Sequence, residues 1–246
     1  MTNEATLDKM KQMKLYGMWN AFRTTMQTNF AHRFAPDELI AHLVDAEWDD
    51  RYNRKLDRLL KAARFRYKAS VEQINLSRPR NLDKNLLLRL SRCDWIKRAE
   101  NVLITGATGV GKSYIASALG HQAAIHGFTV LYFNSMKLFS KLKYAKADGT
   151  YAQELKKIQK QDLLILDDFG LHPIDEHSKF ILLELLEDRY NEHSTVVSSQ
   201  FPIQSWYDII ANATVADAIC DRLVHNAYKI ELKGDSMRKH IKKHSG

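Results

Sequence analysis

The chain has 246 residues, of which 45% are hydrophobic, and its formal net charge is +8. This length and hydrophobic content allow one large domain, or a medium domain with a small appendage. No apolar run is long enough to cross a bilayer, which argues against a membrane-spanning protein. The excess of basic residues favours a polyanionic partner such as nucleic acid or an acidic membrane surface, although many basic proteins bind neither.

The cysteine content and the first residues bear on where the protein acts. Cys93 and Cys220 are the only cysteines, and they match neither a metal-ligand spacing nor a disulfide framework. Charged residues interrupt the first 18 positions, so we expect no signal peptide there. Together these features predict a soluble cytoplasmic protein in a reducing compartment, without a membrane partner.

The first 70 residues are predicted to form a small all-helical domain, because they contain no strand-like run and only two helix breakers, Gly17 and Pro36. Apolar side chains recur at helical spacing between Leu15 and Met26, which indicates a helix with one apolar face. A second helix is predicted to begin at Pro36, since proline suits the first helical position and acidic residues follow it. Its apolar stripe consists of Trp48, Tyr52, Leu56, Leu59, Leu60 and Ala63.

This second helix also carries basic residues that are candidates for DNA binding. A basic helix face can contact nucleic-acid phosphates, but it is also typical of the solvated face of an ordinary helical domain. We favour nucleic-acid contact, because Asp57 is the only acidic residue between Arg51 and Lys68. The candidate DNA-binding residues are Arg51, Arg54, Lys55, Arg58 and Lys61.

The rest of the chain predicts a connecting segment over residues 71–100 and an α/β domain over residues 101–246. Five strand-like segments alternate with helical ones, which predicts a doubly wound core around a five-stranded parallel sheet. Ligands bind such sheets at the carboxyl ends of the strands. The strands are predicted at 101–105, 128–133, 163–166, 195–199 and 228–232, and the helices at 114–119, 136–144, 151–159, 178–193 and 217–227.

The segment after the first predicted strand matches the phosphate-binding pattern G-x-x-x-x-G-K-S/T in full. A strand that feeds a glycine-rich turn and then a helix aims several backbone N–H groups and the positive end of the helix dipole at one point. The predicted strand before the motif and the predicted helix after it argue against a chance match to the phosphate-binding pattern. We expect Lys112 to contact the β- and γ-phosphates of ATP and the Ser113 hydroxyl to bind Mg²⁺. The candidate nucleotide-binding residues here are Gly106, Ala107, Thr108, Gly109, Val110, Gly111, Lys112 and Ser113.

Two adjacent acidic residues, Asp167 and Asp168, follow the apolar strand that ends at Leu166. In a P-loop ATPase the first acid at such a strand end holds Mg²⁺, and the second polarises the attacking water as a general base. The pair is also compatible with an ordinary strand-terminating turn, but the phosphate loop favours the catalytic interpretation. Because Asp168 is one methylene shorter than the glutamate common at this position, we expect slow hydrolysis.

Further polar residues are candidates for contact with the γ-phosphate. The segment Ser198–Gln200 ends the next predicted strand, although polar residues at strand ends are also ordinary loop starts. Arg222 is a candidate arginine finger for a neighbouring subunit, or a surface arginine of its helix. Arg238 is a candidate second sensor, or part of a basic tail at residues 239–243 that contacts DNA.

On these motifs the chain resembles the IstB family, the ATP-binding helper proteins of insertion-sequence transposition. Those proteins are AAA+ ATPases of the initiator group, close relatives of DnaC helicase loaders. The resemblance implies a helical N-terminal domain followed by an AAA+ ATPase domain. The segments that carry it are residues 15–18, 106–113, 167–170, 188–190, 195–202 with Trp206, 221–227 and 234–239.

The resemblance implies ATP-dependent assembly into homo-oligomers on double-stranded DNA, bending of that DNA, and stimulation of a cognate transposase. By motif position it implies that Arg222 is the arginine finger and Arg238 the second sensor. Gln200 stands where many AAA+ proteins carry asparagine. Only residues 233–246 follow the last predicted strand, so we expect no C-terminal lid domain and a nucleotide pocket completed by a neighbouring subunit.

Three other functions are compatible with the same motifs. A DnaC-like replicative helicase loader would share the core, but residues 15–18 and the region of Trp206 are more like IstB. A small-molecule P-loop kinase would transfer phosphate to an acceptor and would not need Arg222. A nucleotide-gated scaffold would bind ATP and barely hydrolyse it.

Overall fold

The computed structural model of the chain describes residues 3–28 and 34–237. The chain separates into two compact units, Met1–Arg58 and Leu59–Gly246. The predicted domain boundaries at residues 70 and 100, which separate a helical domain, a connecting segment and an α/β domain, remain predictions. Among the described residues, no helix combines the length and the apolar composition that a membrane span requires.

The first unit consists of helices, as predicted. They are α1 (Asn3–Gln12), α2 (Tyr16–Gln27) and the first part of α3 (Pro36–Ala63). Helix α1 was not predicted; most of its residues are polar, and none of them is buried. The apolar stripe of α3 is only partly covered, because Trp48 is 73% exposed and Tyr52 47% exposed.

The buried carboxylate of Glu47, in α3, holds the beginning of α2 through hydrogen bonds. Glu47 accepts hydrogen bonds from the backbone N–H groups of Gly17 (2.9 Å) and Met18 (3.2 Å), which the helix itself leaves without partners. Arg51 donates to the other carboxylate oxygen at 2.6 Å. A Cβ atom on Gly17 would lie 2.2 Å from the Ala46 carbonyl oxygen, so only glycine allows this approach.

We expect Glu47→Gln to destabilise the contact between α2 and α3 by about 1–3 kcal/mol, the usual loss for a buried charged hydrogen-bond network. The pKa of Glu47 is lowered from its ordinary value of 4.5; burial opposes this shift, but the hydrogen bonds from Arg51, Met18 and Gly17 outweigh burial. The stabilisation is therefore complete above about pH 4.5 and is lost as the pH falls through the lower folded-state pKa.

Hydrogen exchange of the α2 amides measures this effect, with Glu4→Gln, an exposed glutamate of α1, as the matched control. At neutral pH the α2 amides of Glu47→Gln should exchange faster than those of the wild type and of the control. The difference between variants should shrink at acidic pH. Equal exchange in Glu47→Gln and Glu4→Gln at neutral pH would show that the Glu47 carboxylate does not hold α2.

The second unit is built on the predicted five-stranded sheet, and every strand pair in it is parallel. The strand order is β2-β3-β4-β1-β5, so β3, β4 and β1 are central and covered on both faces by helices. The strands are β1 (Asn101–Gly106), β2 (Val130–Asn134), β3 (Leu163–Phe169), β4 (Ser194–Ser199) and β5 (Ala227–Leu232). The carboxyl ends of β1, β3 and β4 meet at one edge of the sheet, which is where the phosphate loop begins.

The helices of this unit are α4 (Lys84–Ser91), α5 (Asp94–Lys97), α6 (Lys112–Ile125), α7 (Ser135–Ala147), α8 (Tyr151–Gln159), α9 (Glu176–Glu187), α10 (Trp206–Ile210) and α11 (Ala213–Val224), with a 3-10 turn at Ile203–Ser205. Two of them, α4 and α5, precede β1, and the later ones connect the strands. Several predicted boundaries differ from the structure, and two helices show how. The helix predicted over residues 178–193 begins at Glu176 and ends at Glu187. The helix predicted over residues 217–227 begins earlier, because Asn212 caps it by accepting the Val215 N–H.

Candidate active site

The phosphate loop runs from the end of β1 at Gly106 to the beginning of α6 at Lys112. Gly106, Gly109 and Gly111 have φ angles of 143°, 88° and 103°, which residues with side chains rarely adopt. A Cβ atom on Gly106 would also lie 2.3 Å from the Leu232 carbonyl oxygen. The three glycines of the motif are therefore required by the backbone of the loop.

Hydrogen bonds hold two polar side chains of the loop in fixed positions. Lys112 is 6% exposed, and its ammonium group donates to the carbonyl oxygens of Gly106 (2.8 Å) and Ala107 (2.9 Å). The Thr108 hydroxyl donates to the side-chain oxygen of Gln200 at 2.7 Å. The end of β4 thus contacts the loop, which brings the candidate sensor Gln200 beside the expected phosphate position.

Asp167 is completely buried, and its carboxylate accepts hydrogen bonds from three neighbouring elements. On one oxygen it accepts from Ser113 (2.8 Å) and from Ser198, and on the other it accepts from the Tyr132 hydroxyl. Burial and the adjacent Asp167 charge raise the pKa of Tyr132, so this hydroxyl stays protonated as a donor. The motifs predict that Ser113 and Asp167 serve the same Mg²⁺ ion, whereas no motif indicates Tyr132.

Asp168 has a left-handed backbone with φ of 57°, at a point where the register between β3 and β4 shifts between Leu166 and Phe169. Because of this register shift, consecutive side chains no longer alternate between the two faces of the sheet. The Asp168 carboxylate accepts from the Asn134 side chain at 3.0 Å, at the end of β2. Asn134 was not predicted as a site residue.

Arg66 contacts both acidic residues. One guanidinium nitrogen, Nη1, lies 3.1 Å from Asp167 Oδ2 and 3.0 Å from Asp168 Oδ2. Burial lowers the pKa of Arg66, but the hydrogen bond and charge of Asp167 raise it by more, so the side chain remains cationic. Arg66 was not predicted as a site residue, since nothing in the local pattern signals a partner about a hundred residues away.

A cleft of about 440 Å³ opens between the phosphate loop and the segment that precedes α4. Its volume lies within the range of small-molecule sites. Loop and acidic residues form one side of it, and aromatic and apolar residues form part of the rest. The residues that line the cleft include Thr108, Lys112, Ser113, Asp168, Gln200, Arg66, Tyr67, Ile74, Tyr114 and Met237.

Arg80 supports the back of the phosphate loop. It is 6% exposed and donates to the carbonyl oxygens of Val110 (3.2 Å) and Asn75 (2.8 Å). A peptide C=O and the following N–H point in opposite directions, so holding the Val110 oxygen turns the Gly111 N–H away from Arg80. Burial lowers the pKa of Arg80, with a contribution from Arg78, and its Nε has no hydrogen-bond partner among the described residues.

The segment after β5 also touches the loop. The Met237 N–H donates to the Gly109 carbonyl oxygen at 2.8 Å, and the Lys233 N–H donates to the Arg80 carbonyl oxygen at 3.0 Å. A Cβ atom on Gly109 would lie 2.2 Å from the Ser236 hydroxyl oxygen. Arg238, the predicted second sensor, lies outside the described residues.

Comparison with known proteins assigns the chain to a family. Residues 8–245 match the model of the family described as IstB-like ATP binding protein. The chain belongs to this family. An insertion sequence ATP-binding protein of Sinorhizobium fredii is 42% identical to this IstB-like chain over 240 residues, covering 98% of both chains. The insertion sequence IS1162 ATP-binding protein of Pseudomonas fluorescens is 38% identical over 203 residues, covering 82% of this chain and 88% of that one.

Solved structures confirm the AAA+ fold of this IstB-like protein. The DnaC helicase loader aligns with a TM-score of 0.57 and 18% identity, over 68% of this chain and 98% of that chain. DnaA from Aquifex aeolicus, solved with AMPPCP, aligns with a TM-score of 0.58 and 19% identity, over 73% of this chain and 55% of that chain. These similarities confirm the predicted fold class.

Arg222 is not brought to the phosphate loop of its own IstB-like chain. It lies in the last turn of α11, where its backbone oxygen accepts from the Asn101 side chain (2.9 Å) at the beginning of β1. The phosphate loop follows the other end of β1. The Arg222 guanidinium pairs with Glu187 and lies 6.0 Å from the ring centre of Tyr190.

The candidate DNA-binding residues differ in their local pairing. Arg51 pairs with Glu47 at 2.6 Å, and Arg54 pairs with Asp50 at 2.7 Å. Both guanidinium groups are nevertheless about half exposed, at 59% and 47%. The remaining three candidates are exposed and form no ion pair with another residue of the described ranges: Lys55, Arg58 and Lys61.

Proposed function

We propose that this IstB-like protein is an ATP-dependent helper of insertion-sequence transposition. It binds and hydrolyses ATP, assembles as a homo-oligomer on double-stranded DNA, bends that DNA and stimulates a cognate transposase, acting in the cytoplasm. The observation that carries the proposal is that Lys112, Ser113 and Asp168 line one cleft, with Asp167 hydrogen-bonded to Ser113, in a chain whose relatives are insertion sequence ATP-binding proteins.

The proposed roles at the nucleotide follow from the chemistry of the side chains. The backbone N–H groups of residues 106–113 and Lys112 bind the phosphates. The oxygen donors Ser113 and Asp167, joined at 2.8 Å, fit Mg²⁺, which prefers such ligands together with phosphate oxygens and water. The ion would neutralise charge on the phosphates. Asp168 orients and deprotonates the attacking water.

The γ-phosphate is proposed to be sensed from three places. Gln200 is held at the loop by Thr108, which supports a sensor role within the chain. Arg238 is proposed as the second sensor because of its position in the family motif at residues 234–239. Arg222 is remote from its own loop, which favours a role as arginine finger for the loop of a neighbouring subunit. Nucleotide binding and oligomer formation would then depend on each other.

DNA binding is proposed to rest on phosphate contacts that do not read sequence. The basic residues of α3, Arg51, Arg54, Lys55, Arg58 and Lys61, supply the cations, and residues 1–70 serve as the domain that contacts DNA or a partner. Such binding weakens steeply with salt because phosphate contacts release counterions. The cost of bending DNA would be offset by further contacts along the assembly.

The test measures duplex-DNA binding and oligomer size with ATP, with ADP and without nucleotide. We expect large DNA-bound assemblies of the wild type with ATP alone. Lys112→Ala should abolish this dependence, because the loop loses its phosphate-binding ammonium group. The control is Lys97→Ala, an exposed lysine of α5 outside the cleft, which should behave like the wild type.

Other outcomes would replace the proposal. A protein that stays monomeric with every nucleotide and ignores DNA contradicts it. DNA-independent transfer of phosphate to a small acceptor would indicate a kinase. Binding of a replicative helicase, without any effect on a transposase, would indicate a helicase loader. A flat response of DNA binding to salt would contradict the phosphate contacts of α3.

A further inference from the structure

Arg66 holds a position that the proposed ATPase chemistry leaves unexplained. Its Nη1 nitrogen alone contacts one oxygen of each acidic residue, at 3.1 Å from Asp167 and 3.0 Å from Asp168. These carboxylates belong to consecutive residues, and Asp167 is completely buried. Two adjacent carboxylates of which one is buried need a nearby cation. Within the described residues, Arg66 is the cation that forms ion pairs with them.

The four hydrogen-bond partners of Asp167 differ in charge. The donors Ser113 and Ser198 occupy Oδ1, and Tyr132 shares Oδ2 with Arg66. Of these four partners, three are neutral hydroxyl groups, and only Arg66 carries charge. A guanidinium on the shared face of Asp167 and Asp168 therefore supplies the positive charge that a divalent ion would supply there.

The Arg66 side chain is placed so that it can leave this position. It is 40% exposed, and it lines the same cleft as Lys112 and Ser113. It follows the end of α3 by three residues, in a segment without regular secondary structure. In contrast, Tyr132 and Ser198 are anchored on strands β2 and β4. Moving Arg66 into the cleft would bring its charge towards the phosphate side of the site.

We propose that Arg66 is a displaceable counter-ion of the acidic pair, which holds Asp167 and Asp168 in the nucleotide-free protein and gives way when Mg²⁺ enters with ATP. Arg66 is thus a positioning residue that sets how much Mg²⁺ the site requires. The inference rests on the proposed nucleotide site, and it depends on neither hydrolysis nor DNA binding.

The test is the Mg²⁺ dependence of nucleotide binding, measured with a fluorescent ATP analogue in the full-length protein. In Arg66→Gln the ion no longer competes with a guanidinium, and the unpaired carboxylates attract it more strongly. The Mg²⁺ concentration that gives half of the maximal effect should fall about tenfold, which corresponds to about 1.4 kcal/mol. Arg66→Lys keeps the charge and should lie between Arg66→Gln and the wild type.

The matched control is Lys68→Gln, which removes an exposed charge two residues further along and should leave the Mg²⁺ requirement unchanged. Thermal unfolding provides a second measurement. Without Mg²⁺, Arg66→Gln should unfold at a lower temperature than the control, because its acidic pair has lost its cation. Adding Mg²⁺ and nucleotide should raise the unfolding temperature of Arg66→Gln by more than that of the wild type.

A Mg²⁺ requirement of Arg66→Gln and Arg66→Lys that equals that of the wild type would overturn the inference. So would a uniform loss of nucleotide affinity in both variants at every Mg²⁺ concentration, which would indicate that Arg66 only supports the fold. These results leave the proposed function standing. Absence of ATP binding by the wild-type protein would contradict the proposed function itself, and the two failures are therefore distinguishable.

Discussion

Asp168→Asn is expected to lower ATP turnover by about 100-fold or more, the usual contribution of a general base, while ATP affinity changes by about twofold at most. Asparagine has the same shape as aspartate but does not accept a proton from water. It also tolerates the left-handed backbone that residue 168 adopts, with φ of 57°, better than most residues do. Its side-chain oxygen still accepts a hydrogen bond from Asn134 or Arg66, so the site should keep its geometry.

Steady-state turnover and equilibrium binding of a fluorescent ATP analogue separate the two effects. The matched control is Asp208→Asn, an exposed aspartate in α10 outside the cleft, which should hydrolyse ATP at the wild-type rate. Turnover of Asp168→Asn within a few-fold of the control would show that Asp168 is not the base. A wild-type protein that binds ATP without turning it over would indicate the nucleotide-gated scaffold.

Arg189→Leu is expected to lower the free energy of unfolding of the second unit by about 3–5 kcal/mol, the loss typical of a broken buried charge network. Arg189 is 1% exposed, and its guanidinium donates to backbone carbonyl oxygens at the end of α8 and the beginning of β4. Leucine would remove the side-chain donor from all four carbonyls, of which the Ile158 oxygen still accepts the Gln161 N–H at 3.2 Å. The acceptors are Ile158 (3.1 Å), Gln159 (3.1 Å), Gln161 (2.8 Å) and Ser194 (2.5 Å).

Arg189 remains charged at neutral pH despite its environment. Burial lowers its pKa to about 9, although the Asp162 charge counteracts part of this shift. A lysine has the charge but lacks the planar set of donors, so Arg189→Lys should recover only part of the lost stability.

Urea denaturation of the full chain measures the effect, with Arg92→Leu as the control, since Arg92 is exposed. We expect Arg92→Leu to unfold within about 0.5 kcal/mol of the wild type, as surface substitutions usually do. If Arg189→Leu unfolded within about 1 kcal/mol of Arg92→Leu, water and the remaining backbone donors would be satisfying the carbonyls, and the Arg189 hydrogen bonds would contribute little to stability.

The phosphate loop and the acidic pair could be predicted from the sequence because their signals are local. The glycines, Lys112 and Ser113 lie within eight residues, and each glycine is required by a φ angle that other residues rarely adopt. Asp167 follows a run of apolar residues that only a strand buried on both faces explains. Parallel strands place their carboxyl ends at one edge, so the meeting of Ser113 with Asp167 followed from the fold class.

The early end of α9 had no comparable local signal. Residues after Glu187 keep a helical composition, and the helix was predicted to continue to residue 193. It ends early because Arg189 turns inward to the carbonyls of α8 and β4, and Asn191 adopts a left-handed backbone with φ of 60°. Tertiary hydrogen bonds outweigh helix propensity at this point.

By itself, the sequence determined the family, the five-stranded parallel sheet and the residues that form the glycine-rich loop, because periodicity and short motifs encode backbone geometry within a few residues. Only the tertiary structure decided which side chains surround the acidic pair. Arg66, Tyr132 and Asn134 reach Asp167 and Asp168 across sequence separations of 34 to 102 residues. Such contacts form only when separate elements pack together. The packing energy comes from the whole core, so no single segment of the sequence encodes it.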